Sequence, residues 1–319
     1  MTAPTLSAQQ SVQPGNTTIK PRKSRLSRKT RRAALLFLAP FMIMFLSMKV
    51  APIFYAIYQS FFKTERTGLG FGESKSIFSG FENYLVAMQN SDFMASFGRV
   101  FLIGIVQVPL MLGIALVLAL LLDSAFSPFK RSFRLIFFLP YAFPGVIAAI
   151  MWSFLYQPQI GPFSAWLSAI GIHVNFLTDS TVFFSIGNMM TWGFTGFNML
   201  VIYSALQAVP GELTEAASLD GAGWWATSWH IKIPAVRPSI ILTAVFSIIG
   251  TVQLYNDPAI LAKVAPGISS TFTPIMAARE QSAANNYNLA AAESVILALV
   301  ALVLSFGFLK FTQRKGADS

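Results

Sequence analysis

Six stretches of this chain carry apolar side chains almost without interruption, at about residues 34–60, 99–122, 133–155, 182–204, 239–260 and 291–311. A helix needs roughly 20 mostly apolar residues to cross the hydrocarbon core of a bilayer. The pattern therefore predicts six spanning helices and an all-α, polytopic membrane fold. The second stretch, Val100 to Leu122, is the clearest, with Gly104, Pro109 and Gly113 inside it. Membrane helices tolerate Gly and Pro where neighbours satisfy the backbone. The fourth stretch is the most polar, with Asn188, Thr191, Trp192, Thr195 and Asn198. A helix of that kind is expected to face protein or an aqueous path rather than lipid. The longest connections, 63–98 and 261–290, each have room for a short interfacial helix, and no tandem repeat is visible.

Composition agrees: 54% of residues are hydrophobic and 11% charged, where a soluble domain has about a quarter charged. The chain has no Cys, which excludes disulfides, thiolate zinc sites and thiol catalysis. With only His173 and His230, a His-rich metal site is excluded as well.

The net charge of +10 is uneven, with eight Lys and Arg between Lys20 and Arg32 and no acid among them. An apolar stretch follows directly, so the cluster reads as a membrane-surface anchor and not as a nucleic-acid contact. Residues 1–32 are expected to form a disordered basic cytoplasmic tail, 33–313 the membrane domain and 314–319 a second cytoplasmic tail. The first apolar run is longer than a signal-peptide core and lacks a small-x-small cleavage site, which favours an uncleaved anchor helix. With the N-terminus inside, sixteen Lys and Arg fall on the inner side and six on the outer, with Lys49 inside the first helix. That asymmetry predicts an even helix count and both termini in the cytoplasm.

The inner connection between the fourth and fifth stretches, about 205–238, has its own pattern. It reads Pro210-Gly-Glu-Leu-Thr-Glu-Ala-Ala-Ser-Leu-Asp-Gly-Ala-Gly-Trp-Trp, then Ile231-Lys-Ile-Pro234 and Pro238. Pro210 can open a helix, with Glu212 and Glu215 near its positive end. Gly221 supplies a stop. A second short helix through Trp224, Trp225 and Trp229 is expected to end at Pro234, with Pro238 opening the next span. The product is a helix–turn–helix whose small residues let another surface approach closely. An amphipathic hairpin resting on lipid headgroups is the alternative, but Glu212, Glu215 and Asp220 oppose it at an anionic surface.

These residues carry a resemblance. Glu215-Ala216-Ala217, then Gly221, then Ile231-Lys232-Ile233-Pro234 resembles the EAA signature of binding-protein-dependent ABC importer permeases, with Ile233 where Leu is usual. Trp192–Gln207 and Leu219-Asp220-Gly221-Ala222 are similar to the maltose-type sugar permeases, as are Gln253–Pro258 and Tyr287–Ala292. The Gly-Gly-Pro often found between those last two segments is absent. The resemblance covers roughly residues 33–313. It implies that Glu215, Ala216, Ala217, Asp220, Gly221, Ile231 and Pro234 couple the membrane helices to a separate ATPase. It also implies an ATP-binding subunit dimer, a second homologous permease and an extracytoplasmic solute-binding protein as partners. The location implied is the plasma membrane of a bacterial or archaeal cell. ATP would bind to the partner; the chain has no G-x-x-x-x-G-K-[ST] phosphate loop of its own.

A sugar path needs hydrogen-bonding side chains beside flat aromatic faces. Asn188, Trp192, Thr195, Asn198, Gln253 and Asn256 are the candidates for it, with Trp152, Tyr156, Tyr255 and Asp257 nearby. Asn188, Thr191, Thr195 and Asn198 recur every three or four residues and share one helix face; interhelical hydrogen bonding is the other use for them. No catalytic constellation, metal cluster or cofactor motif emerges. The leading expectation is a sugar-import permease; the alternatives are another solute (polyamine, amino acid, glycerol phosphate) or a stand-alone secondary transporter.

Overall fold

The computed structural model describes residues 28–66, 74–124 and 129–317; most of the expected basic tail therefore lies outside the described residues. Two units divide the chain between Ile53 and Phe54. In the first, α1 (Arg28–Phe45) passes through a π-helical turn (Leu46–Val50) into the start of α2 (Ala51–Ser60), whose residues from Phe54 on count with the second. Its apolar side chains, among them Leu36, Phe37 and Met48, are exposed around the helix, the distribution expected where lipid replaces water. Helix begins at Arg28, inside the expected tail, because Lys and Arg are themselves good helix formers.

Directly after α2 the second unit has a feature the all-α expectation missed: a hairpin of β1 (Phe62–Arg66) and β2 (Ser74–Phe78), antiparallel, with Phe62 opposite Phe78 and Glu65 opposite Lys75. Phe62 and Phe78 meet edge to face across it at 5.5 Å, a cross-strand pair that helps fix register. Hydrogen bonds to Glu82 first, then Glu65, hold the exposed Lys63 ammonium above its ordinary pKa. After α3 (Glu82–Gln89), the Asn90 side chain accepts from the backbone N–H groups of Asp92 and Phe93 and caps α4 (Ser91–Asp123), a helix of 33 residues.

The third apolar stretch is not one helix. α5 (Lys130–Ala142) and α6 (Gly145–Leu155) meet at 92°. Phe143, ahead of Pro144, is driven into the extended region (ψ 136°), as a residue before proline is. Then come α7 (Pro162–Ala169), α8 (Val182–Leu206), α9 (Gly211–Leu219) and α10 (Trp224–Thr227). A π-helical turn (Ser228–Lys232) leads into α11 (Ile233–Val252), followed by α12 (Asn256–Leu261), α13 (Pro274–Ala283) and α14 (Tyr287–Ala317).

Pro234 therefore ends nothing, and Pro238 lies inside α11 instead of opening it. Pro234 sits in the first turn of α11, where an N–H has no helical partner to lose, and the wider π turn brings the chain in continuously. Among the described residues, four helical runs are long and apolar enough to cross a membrane (Arg32–Ser60, Ser91–Asp123, Trp224–Leu261, Tyr287–Thr312), or five counting the bent α5–α6 pair. The expected count of six is not reached on apolarity, because α8 is too polar to qualify.

α8 nonetheless sits at the centre of the second unit, packed most extensively on α4, then α5 and α11. Two apolar clusters flank it. One joins Trp152, Tyr156, Ile186, Met189, Met190, Leu261 and Phe272; the other joins Ala115, Ala119, Leu120, Met199, Ile202, Leu206 and Val236. Gly196 is the point of closest approach: a Cβ there would collide with the backbone carbonyl of Phe137 on α5.

Candidate functional site

The residues expected to line a path divide between a cavity and the packed core. Asn198 is 2% exposed; its amide donates to the Phe194 carbonyl at 3.1 Å and approaches Met111 Sδ at 3.6 Å. It lines a cavity of about 290 Å³ between α4, α5, α8 and α11, with Gln107, Tyr141, Phe197, Ser247 and Thr251. Tyr141 stacks on Phe197 at 4.8 Å and offers a flat aromatic wall. Asn188 donates instead to the Tyr156 hydroxyl at 2.8 Å, within the upstream cluster. Trp192 packs edge to face on Trp152 at 5.6 Å and lies along Phe143. Thr195 is buried and bonds the Thr191 carbonyl of its own helix at 2.6 Å. Gln253, just past the end of α11, and Asn256, at the start of α12, are exposed. The sequence face 188–191–195–198 is real as a helix face, but among these residues only Asn198 borders this cavity.

Gln107 was not singled out from the sequence. Its Nε2 donates to Met111 Sδ at 3.3 Å, while its Oε1 is buried without a hydrogen-bond partner among the described residues. An unsatisfied buried acceptor costs about 1–3 kcal/mol, so a ligand hydroxyl there would gain what the folded chain lacks. The signal was present: Gln107 is the lone amide in the most apolar stretch of the chain. Glu293 on α14 is likewise fully buried, with neither carboxyl oxygen partnered among the described residues.

The 205–238 connection forms the first helix and the turn expected of it, but its second helix runs on through the π turn into α11 instead of ending at Pro234. α9 starts at Gly211 behind Pro210, one residue later than expected, and contains no buried residue. Its end is a Schellman turn: Gly221 takes φ +82°, Gly221 N–H donates to the Ser218 carbonyl at 3.1 Å, and Ala222 N–H donates to the Ala217 carbonyl at 2.9 Å. Glu215, Ala216, Asp220 and Gly221 are exposed, and Ile231 is half-buried at the second helix. The tip presents an unexpected apolar surface: Leu219 is 90% and Trp225 70% exposed, and Trp229 stacks along Trp225. Pro234 is exposed at the start of α11.

Where the hairpin rejoins the bundle, three polar side chains converge. The Asp123 carboxylate at the end of α4 pairs with Lys232 through Oδ2. Its Oδ1 accepts from Gln207 Nε2, at the end of α8, at 2.7 Å. Beside them Arg134 of α5 lies over the Tyr203 ring at 5.3 Å.

The family model described as "Binding-protein-dependent transport system inner membrane component" matches residues 111–315. The chain is 28% identical over 286 residues to the probable ABC transporter permease protein YurN of Bacillus subtilis, covering 86% of this chain and 94% of that one. It is 31% identical over 244 residues to the sulfoquinovosyl glycerol transport system permease protein SmoG of Agrobacterium fabrum, covering 76% and 77%. Among solved structures it superposes, with a TM-score of 0.77 and 22% identity, on a chain of a bacterial ABC transporter involved in the import of the acidic polysaccharide alginate, covering 91% of this chain and 99% of that one.

Proposed function

This chain belongs to the inner-membrane components of binding-protein-dependent transport systems, and from that premise we propose how it moves its solute. It is a multi-pass permease of an ABC importer, and its solute is a sugar or a sugar-derived polyol. The path runs beside α8, through the cavity of Gln107, Tyr141, Asn198, Ser247 and Thr251. Amide and hydroxyl groups set against stacked aromatic rings suit a ligand that presents hydroxyls and C–H faces together. The names of the relatives support that class of solute.

The bent α5–α6 pair serves as the third span and α8 as the fourth, giving six, with both termini and the 211–232 hairpin in the cytoplasm. The polarity of α8 agrees with a helix enclosed by protein rather than lipid. The partners are a second, homologous permease, a pair of ATP-binding subunits and an extracytoplasmic solute-binding protein.

One observation carries the reading: the hairpin projects an unburied helix, a Gly221 turn and an exposed Leu219–Trp225 tip from an otherwise packed unit. Rigid coupling to a cleft on an ATPase needs that shape; a simple connector does not. Because the chain contains no Cys, a single Leu219→Cys substitution tests it. In the assembled transporter, a thiol-reactive cross-linker at 219 should capture the ATP-binding subunit, and Trp166→Cys, on the α7 connection, should not. Absence of that product at 219, with the assembly intact, would overturn the reading.

A further inference from the structure

We propose that Asp123 is a positioning residue that fastens the second half of the hairpin to the ends of α4 and α8, so that the hairpin and these helices move as one body. The inference rests on the coupling reading of the hairpin. Asp123 and Lys232 are 14% and 13% exposed at their side chains, so the pair is largely removed from water. Desolvated pairs of this kind are costly to break from one side, because the remaining charge stays buried without compensation. Lys232 is the last residue of the π turn, immediately ahead of α11. Asp123 uses its other oxygen for Gln207, which closes the end of α8, and the Lys130 ammonium reaches the Asp123 carbonyl at 3.5 Å. Three chain segments that are remote in sequence, the α4–α5 connection, the end of α8 and the π turn, are thus gathered on one residue.

The geometry explains why a single acid is placed here. α9 makes few contacts with the rest of the unit, so a push on it needs a rigid route to the helices that line the cavity. The route is the π turn held by Lys232, and Asp123 joins it to α4 and α8, both of which border that cavity. Without the pair, the hairpin would still dock, but its displacement would be absorbed in the 207–232 segment.

The experiment uses the complete transporter with its binding protein, reading uptake, ATP hydrolysis and subunit co-purification together. Asp123→Asn and Lys232→Met should each lower uptake at least about tenfold, equivalent to about 1.4 kcal/mol, while the ATPase still co-purifies and hydrolyses ATP. The exchange Asp123→Lys with Lys232→Asp should recover most of the uptake. In Asp123→Cys with Lys232→Cys, bridging the two positions with a short dithiol-reactive spacer should restore uptake, and cleaving the spacer should remove it. Wild-type uptake in both single variants would overturn the proposal. So would loss of uptake on bridging, since positions that move as one body tolerate a tether. If the single variants fail to assemble, the bridged pair decides by the same criterion. Failure of the hairpin reading looks different: Gly221→Asp would then leave association and uptake at wild-type levels.

Discussion

α8 and α9 are neighbours in the chain and have opposite fates. α8 is rich in Thr and Asn, yet it is the most enclosed helix of the second unit. α9 has an ordinary helical composition and buries nothing. Three polar groups of α8 are handled within the helix: Thr191 bonds the Gly187 carbonyl, Thr195 that of Thr191, and Asn198 that of Phe194, while Asn188 reaches the Tyr156 hydroxyl. This leaves the helix free to pack by shape, with Gly196 against Phe137. α9 uses the same device, with Thr214 bonding the Gly211 carbonyl and Ser218 that of Thr214, but none of its residues is buried among the described residues. The difference teaches that a helix's polar content does not decide whether the fold encloses it; the surfaces that meet it do.

The strongest way to break this contrast is to make both helices pay at once. Gly196→Leu should force α5 and α8 apart, costing roughly 3 kcal/mol or more for overpacking at a backbone contact. Folded protein should largely disappear from detergent extracts, as read by size-exclusion profile and membrane abundance. If Gly196→Leu accumulated normally, the close α5–α8 crossing would be wrong. Gly221→Asp should behave in the opposite way. The position has open space for a Cβ, so only the left-handed backbone resists, at about 1–2 kcal/mol. Abundance should stay near wild type while uptake and ATPase association are lost.

Asn198→Leu tests the functional side of α8. The Phe194 carbonyl that accepts from the Asn198 amide lies within α8 and keeps its helical backbone partner, and Leu is close to Asn in size, so abundance should hold. Uptake should fall by about tenfold, the cost of one hydrogen-bond donor to a bound hydroxyl at about 1.4 kcal/mol. Gln107→Leu should follow the same pattern; unchanged uptake kinetics in both would return the cavity to the packing class. The smallest effect is expected from Glu215→Ala. An exposed charge at an interface rim mainly alters the rate of encounter and its salt dependence, so uptake should drop a few-fold, more at low salt than at high, where screening already weakens the wild-type attraction. A complete loss would mean that Glu215 is buried in the assembly and not at its rim.

Much of this arrangement was legible in the chain. The apolar stretches located five of the helical runs, and the Gly221 stop was readable from a residue type that alone adopts φ +82° without strain. The π turn was not: Pro234 and Pro238 look like breakers until the helix is seen to place one in its first turn. The bend at Phe143–Pro144 was hidden by apolarity, because a continuous hydrophobic run reads as one span whatever its backbone does. β1 and β2 were too short, and too polar in alternation, to stand out inside a long connection.

By itself the sequence determined that the chain lives in a membrane, roughly where its long helices run, with ends off by up to eight residues at Ser91 and Val252, and that one connection carries a helix and a Gly221 turn. These follow from properties a residue carries with it: transfer free energy, backbone freedom, capping. Only the tertiary structure decided which polar residues meet. Gln107 came to share a cavity with Asn198, Asn188 was spent on Tyr156, and Asp123 was brought to Lys232 across 109 positions of chain. Such partnerships depend on how helices cross, and crossing is set by close packing summed over whole helix faces, a quantity no local pattern contains.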